Sequence, residues 1–293
     1  MTATLRARSY AKVNLGLRII RKRPDGFHDI ETVFHRIGLH DIVEIREADD
    51  ISVTSTDPAA PSDRTNLAYR AAALLRETAG TRAGVSIAIT KNIPVGAGLG
   101  GGSSNAATVL TMLQELWKVR VPSGRLQETA LALGSDVPYF LRAGSAAARG
   151  RGERLTYFEL DMPFAILLCT PGIHVSTAMA YRSVTPRGGE PGRPLKDELM
   201  DALQHAALLP AALTNDFEPS VFAGFPAIAE AKQAMLATGA ICASMSGSGS
   251  SVFGLYPSTE AAESAALSFR GPGMAVHVTP PRFQPEGSIL PPR

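Results

Sequence analysis

The residues best suited to chemistry lie between Pro94 and Ser104, in the run Pro94-Val95-Gly96-Ala97-Gly98-Leu99-Gly100-Gly101-Gly102-Ser103-Ser104. Five of its glycines fall within seven positions. Glycine reaches positive φ at no steric cost and lets backbone N–H groups approach an oxyanion with no Cβ in the way. A β-branched run (Val85 to Thr90) precedes this stretch. An apolar stripe at helical spacing follows it: Ala106, Val109, Leu110, Leu113, Leu116 and Trp117. Strand, glycine loop and helix N-terminus together form an anion site, because unpaired N–H groups and the positive end of the helix dipole both face the loop. Glycine turns also occur where a strand and a helix merely pack closely. The density of glycines, with two serines at the helix start, favours phosphate.

Several phosphate loops share these letters. Gly96-x-Gly98-x-x-Gly101 spells the dinucleotide fingerprint, which also needs an acidic residue about 20 positions on, after a second strand. That distance falls at Val119 to Val121, and a helix pattern follows. The P-loop needs a lysine after its last glycine, whereas Gly102 precedes Ser103. A protein-kinase glycine loop runs into a strand, and here a helix follows. The second Gly/Ser turn, Ser246-Gly247-Ser248-Gly249, has no serine with glycine at both −2 and +2, so it is no nucleophile elbow.

Other candidates are ambiguous on their residues alone. Asp136, in Gly134-Ser135-Asp136-Val137-Pro138, reads as a turn former or helix cap. Lys12 sits in an alternating strand pattern, where a solvated lysine is the default. Ser103 and Ser104 suit N-capping, worth about 1 kcal/mol. Phe27, Tyr181 and Thr177 read as packing residues. The six histidines are scattered, no His/Cys/Glu set has transition-metal spacing, and no carboxylate cluster marks a Mg²⁺ site. No metal-ligating residue is assigned.

The elements that must position these groups can be read in order. Residues 5–20 are extended, and Arg23-Pro24-Asp25-Gly26 forms a turn. Strands are expected at 30–37, 41–46 and 51–53, then a helix over 66–79 closed by Gly80. After the loop and its helix come a helix from Pro122 to Leu133 and a hairpin at 146–158. A second half follows: a strand at 164–168, a mobile loop at 185–194, and helices near 196–208, 226–238 and 259–269. Strands are expected at 241–245, 251–256 and 274–278. Residues 281–293 form a Pro-rich tail, expected to be poorly ordered. Strands and helices do not alternate strictly, which indicates two α+β halves and not a doubly wound sheet. The expected domains are 1–160 and 161–280.

Composition narrows the class. The 293 residues are 45% hydrophobic and 19% charged, as in an ordinary globular protein. A formal charge of +2 leaves no footprint for nucleic acid. Cys169 and Cys242 are too few for a disulfide framework and sit in apolar runs, so buried reduced thiols are expected. The first residues lack the apolar core of a signal peptide, and no apolar run approaches the ~18 residues of a membrane span. A cytoplasmic protein without a membrane partner is expected.

The glycine stretch, continued through Asn105-Ala106-Ala107, resembles the central motif of the GHMP kinases (galactokinase, homoserine, mevalonate and phosphomevalonate kinases). Further segments extend the resemblance: Ala11-Lys12-Val13-Asn14-Leu15, Pro24-Asp25-Gly26-Phe27-His28, Gly134 to Pro138, Val175-Ser176-Thr177-Ala178, Asn215-Asp216-Phe217-Glu218 and Ser246 to Gly249. It covers about residues 9 to 255. It implies a two-domain α+β fold, with an N-terminal ribosomal-S5-domain-2-like domain, a C-terminal ferredoxin-like domain and the active site in the cleft between them. The implied reaction moves the γ-phosphoryl group of ATP, carried with Mg²⁺, to a hydroxyl of a small molecule that bears a cytidine diphosphate. Residues 94–104 would bind ATP, Asp136 would be the general base and Lys12 its charge partner. His28 would meet the cytosine edge and Phe27 and Tyr181 would sandwich the base, while Asn14 and Thr177 would lie near the rest of the acceptor. Tyr is usual at the position of Phe27; stacking survives that change, but a phenol hydrogen bond does not. Mevalonate-type or homoserine-type acceptors, or a non-catalytic nucleotide-binding regulator on the same fold, are the alternatives.

Overall fold

The computed structural model describes residues 4–188, 192–269, 271, 273–286 and 289–290. Two long strands open the chain, β1 (Thr4–Lys22) and β2 (His28–Ala48), followed by β3 (Ile51–Ser55), α1 (Leu67–Ala79) and β4 (Gly84–Thr90). Then come α2 (Gly101–Leu116), α3 (Ser123–Leu133), the single turn α4 (Val137–Phe140), β5 (Ser145–Gly150) and β6 (Arg154–Phe158). The second half holds β7 (Ala165–Thr170), α5 (Thr177–Ser183), α6 (Leu195–Gln204), α7 (Leu209–Ala212), α8 (Glu218–Gly224) and α9 (Pro226–Ala237). It closes with β8 (Cys242–Met245), β9 (Val252–Tyr256), α10 (Thr259–Ala266), β10 (Ala275–Thr279) and β11 (Ile289–Leu290).

The strands form two sheets. One has the order β11-β1-β2-β4-β3, with β5 also paired to β2 and β6 to β5; the other has the order β10-β7-β9-β8 and is antiparallel throughout. The two α+β halves are thus those expected. The separate strands expected at 30–37 and 41–46 are one strand, β2, which pairs β5 through Ile30 to Phe34 and β4 through Ile42 to Ala48. The gap between the two expected strands, residues 38–40, falls within the stretch from His35 to Asp41 over which β2 changes partner.

Strand β1 is buried on both faces, and its alternation sorts side chains between core and cleft. Ala11, Val13 and Leu15 enter an apolar cluster shared with Ile166 and Leu168 of β7 and Phe253 and Leu255 of β9. Lys12 and Asn14 point the other way. Gly16, at φ +80°, occupies the register shift between Asn14 and Leu17, so that Leu17 lines the same cleft as Asn14. Strand β7 is buried along its whole length. Ile166 and Leu168 face β1, while Ala165, Leu167 and Cys169 join the cluster beneath α9 and α10. Both faces are covered, which explains why the run reads as continuously apolar. Cys169 and Cys242 are buried and unbridged, and burial pushes both thiols up to about 12.

Several local expectations change. The 196–208 helix is interrupted at His205, and α4, α5 and α8 were not foreseen. Of the 185–194 loop, residues 185–188 and 192–194 lie outside helices and strands, and the Arg187 and Gly188 N–H groups donate to the Ile19 and Ile20 carbonyls. Residues 189–191 lie outside the described residues. The described part of the tail is packed against the body. Phe283 lies against Tyr10 (centroids 5.7 Å apart), Arg282 pairs with Asp161 at 2.9 Å, and β11 pairs with Arg6 and Ala7 of β1. Its prolines hid an edge strand because only two residues pair. No described helix is long and apolar enough to cross a membrane.

Candidate active site

The glycine loop reaches the cleft with its backbone anchored on both domains. Lys12 N–H donates to the Leu99 carbonyl at 3.0 Å, which ties β1 to the loop. From the other domain, Ser246 Oγ donates to the Gly98 carbonyl at 3.0 Å and Ser251 N–H to the Ala97 carbonyl at 3.2 Å. Gly98 has φ +79°, and a Cβ there would run into the Ser246 carbonyl oxygen. Gly100, at φ +69°, lies against Phe140 and the Lys12 stem, with 3.0 Å and 3.2 Å from a notional Cβ. At these two positions glycine is demanded by both backbone conformation and space.

Helix α2 begins at Gly101, with Gly100 as its cap and no capping side chain. The serines therefore lie in the first turn, and neither caps the helix. The N–H groups of Gly101, Gly102 and Ser103 donate to no described residue. Donors left open at a helix start suit an anion. Ser103 lines the cleft; Ser104 does not, being buried with its hydroxyl taking a 2.8 Å hydrogen bond from Ser9. It is a packing residue at helical spacing from the site.

Beneath the loop lies a buried polar network that the sequence did not signal. Asp41, fully buried, takes hydrogen bonds from the N–H groups of Asn92 and Ile93, both at 2.8 Å, and from Asn105 Nδ2 at 2.9 Å. Its second oxygen pairs with Lys91 Nζ. Lys91 and Asn105 both line the cleft, Lys91 just before the loop and Asn105 just after its serines. A loss of alternation at the end of β4 was the only available hint.

The cleft has a volume of about 750 Å³ and is lined by residues 94–103 along one wall. Lys12, Asn14, Asp136, Thr177 and Tyr181 line it as well. Lys12 is almost wholly buried. Its Nζ donates to Asn14 Oδ1 at 2.6 Å and to the Gly98 carbonyl at 3.1 Å, sits 5.1 Å from the Phe34 ring centroid, and lies 3.6 Å from Asp136 Oδ2. Burial lowers the Lys12 pKa from its usual value, and the Asp136 carboxylate opposes that shift. Asp136 itself keeps a third of its side chain exposed and starts α4, where Pro138 and the Gly134 stop restrict the backbone. Asn14 Nδ2 donates to Thr32 Oγ1 at 2.9 Å, and Thr32 donates on to the Gly16 carbonyl, so the amide that holds Lys12 is itself oriented.

The second half supplies the remaining wall. Thr177, the first residue of α5, shares a 3.0 Å hydrogen bond with Ser248 of the Gly/Ser turn. Asn215 holds that turn by donating to the carbonyls of Met245 (2.6 Å) and Gly247 (2.8 Å). Tyr181 stacks on His28 with centroids 5.1 Å apart and 26° between planes, and meets Phe217 edge-on at 4.8 Å. Burial, aided by Asp136, pushes the Tyr181 phenol up to about 12, so it is neutral near pH 7. Burial and Lys22 lower the His28 pKa, which keeps that ring neutral too.

Phe27 and His28 do not line the cleft as expected. His28 is largely buried and stacks on Tyr181, which does line the cleft, and its ring nitrogens bond to no described residue. Phe27 is 52% exposed, and the Arg151 guanidinium sits 4.7 Å from its centroid. Arg151, which does line the cleft, was missed because the turn between β5 and β6 is distant in sequence from every other site residue. Among the described residues, no group of three His, Cys, Asp or Glu side chains could hold a metal.

Comparison with known proteins identifies the family and the fold. The GHMP kinases N terminal domain family matches residues 66–144, and the GHMP kinases C terminal family matches residues 196–273. The 4-diphosphocytidyl-2-C-methyl-D-erythritol kinase of Chlorobium limicola (strain DSM 245 / NBRC 103803 / 6330) is 45% identical over 280 residues, covering 94% of this chain and 96% of its own. That of Salinibacter ruber (strain DSM 13855 / M31) is 43% identical over 276 residues, covering 92% and 96%. A crystal structure of 4-(cytidine 5'-diphospho)-2C-methyl-D-erythritol kinase superposes with a TM-score of 0.79 at 38% identity, over 94% of this chain and 99% of that one. Homoserine kinase from Cytophaga hutchinsonii ATCC 33406, at 20% identity and a TM-score of 0.70 over 98% and 97% of the two chains, shares the fold. The chain belongs to the 4-diphosphocytidyl-2-C-methyl-D-erythritol kinases of the GHMP kinase family.

Proposed function

We propose that this kinase moves the γ-phosphoryl group of ATP to the 2-hydroxyl of 4-diphosphocytidyl-2-C-methyl-D-erythritol, with Asp136 as general base and Lys12 as its charge partner. The observation that carries the reading is the Lys12–Asp136 pair, 3.6 Å apart, at the end of the glycine loop. The Asp136 carboxylate takes the hydroxyl proton as the acceptor oxygen bonds to the γ-phosphorus. The bond to the β–γ bridging oxygen breaks, and ADP leaves with its electron pair. Lys12 offsets charge that develops on the transferring group. The open N–H groups of Gly101, Gly102 and Ser103 would receive donor phosphate oxygens.

The site suits Mg²⁺ bound with ATP, since Ser103 Oγ is a hard oxygen donor on the cleft wall beside the proposed phosphate site. The ion would neutralise phosphate charge there. Thr177, Asn14 and Tyr181 line the same cleft and would meet the acceptor. The reaction would serve the non-mevalonate route to isoprenoid precursors, in the cytoplasm.

An ADP-release assay with three acceptors tests the reading. The cytidyl substrate should be turned over and mevalonate and homoserine should not. Turnover of mevalonate at a comparable rate would overturn the assignment, and ATP binding without turnover of any acceptor would point to a regulator.

A further inference from the structure

Among the described residues, three Lys or Arg side chains line the cleft, and two are already engaged. Lys12 faces Asp136, and Lys91 is paired with buried Asp41. The third, Arg151, makes no side-chain hydrogen bond or ion pair with a described residue; its guanidinium lies on the face of Phe27, 4.7 Å from the centroid. Its backbone is fixed. Arg151 N–H donates to Glu153 Oε2 at 2.6 Å, and Gly152 N–H closes the turn onto the Arg149 carbonyl at 3.1 Å. The turn abuts the proposed base, since a notional Cβ on Gly152 stands 3.7 Å from Asp136 Oδ1. The carboxylate of Asp25 lies within its electrostatic reach but is bonded to Arg23 and to the Phe27 N–H.

A rigid turn therefore presents one uncommitted, always-charged fork at the acceptor end of the cleft. Guanidinium on an aromatic face is a resting place and not an ion pair, and its N–H edge stays available to an oxyanion. We propose that Arg151 is the receptor for the diphosphate of the acceptor substrate, held ready on Phe27. Phe27 would then orient the arginine, which accounts for a large exposed aromatic ring outside the cleft lining. This assignment rests on the kinase reading above.

The test is competition against the acceptor at saturating ATP, with cytidine and cytidine 5'-diphosphate as inhibitors of the intact enzyme, its Arg151→Gln variant and its Arg151→Lys variant. Loss of a charge-assisted contact should weaken cytidine 5'-diphosphate about tenfold to a hundredfold in Arg151→Gln. Cytidine should weaken by less than about threefold, Arg151→Lys should recover part of the loss, and the KM for ATP should stay put. Equal weakening of both inhibitors would overturn the proposal, because Arg151 would then act on the base through Phe27. A raised KM for ATP with unchanged inhibition would overturn it in favour of the donor. If neither inhibitor competes with the acceptor in the unaltered enzyme, the cytidyl-substrate reading fails and takes the Arg151 assignment with it.

Discussion

Lys12 Nζ lies 3.6 Å from Asp136 Oδ2, with the ammonium almost wholly buried and the carboxylate open to the cleft. The lysine also donates to Asn14 Oδ1 and to the Gly98 carbonyl, so its position is set by β1 and by the glycine loop together. An ammonium fixed in this way beside a carboxylate that is one-third exposed is the arrangement on which the proposed proton transfer and charge neutralisation rest.

Removing either partner should therefore affect turnover more than nucleotide binding. Asp136→Asn and Lys12→Ala are each expected to lower kcat by about a hundredfold to ten-thousandfold. The KM for ATP should change little. Steady-state ADP release measures both, and near-normal turnover in either variant would remove that residue from the mechanism.

Asp41 has a different consequence, because it is wholly buried and holds four donors. Asp41→Ala leaves the Lys91 ammonium and two backbone N–H groups without their acceptor. The expected cost is about 3–5 kcal/mol of stability, read from urea unfolding, with a raised KM for ATP in whatever folded enzyme remains. A loss below 1 kcal/mol would show that water replaces the carboxylate.

The close approach of the two domains at Gly98 gives a paired comparison. Gly98→Ala adds a methyl group against the Ser246 carbonyl at a positive φ. Backbone strain and overpacking together should cost about 2–5 kcal/mol. Gly80→Ala, also at positive φ (+64°) but with open space around it, should cost only about 1–2 kcal/mol. Equal destabilisation of the two would mean that the loop retreats from the turn.

His35 should make stability depend on pH. Burial pulls its pKa from 6.5 to about 4, and its Nδ1 shares a 2.8 Å hydrogen bond with Ser145 Oγ. The unfolded chain takes up the proton first, so this contribution is complete above pH 6.5 and is lost as the pH falls through 4. The full effect is about 3 kcal/mol. Urea midpoints at pH 7 and pH 5 should fall further for the unaltered protein than for His35→Gln; parallel losses would refute the assignment.

Much of this protein was legible without coordinates, and the reason is local. The glycine loop and the helix after it depend on residues adjacent in sequence, so spacing alone revealed them. The same holds for the Gly80 stop of α1 and the apolar run of β7. Asp136 and Lys12 have side chains that spacing alone reads as a turn former and a surface lysine. Resemblance gave them roles, but only the fold brings positions 12, 98 and 136 together, because β1 is bonded to the loop and Asp136 reaches Lys12 from the start of α4. Ser104 went the other way: it follows the loop in sequence, yet helical geometry turns it toward Ser9 and the core. The partner switch in β2, the Asp41 network and the placement of Arg151 on Phe27 depend on contacts between segments far apart in the chain. Burial and register decide such contacts, and neither is a property of a local stretch.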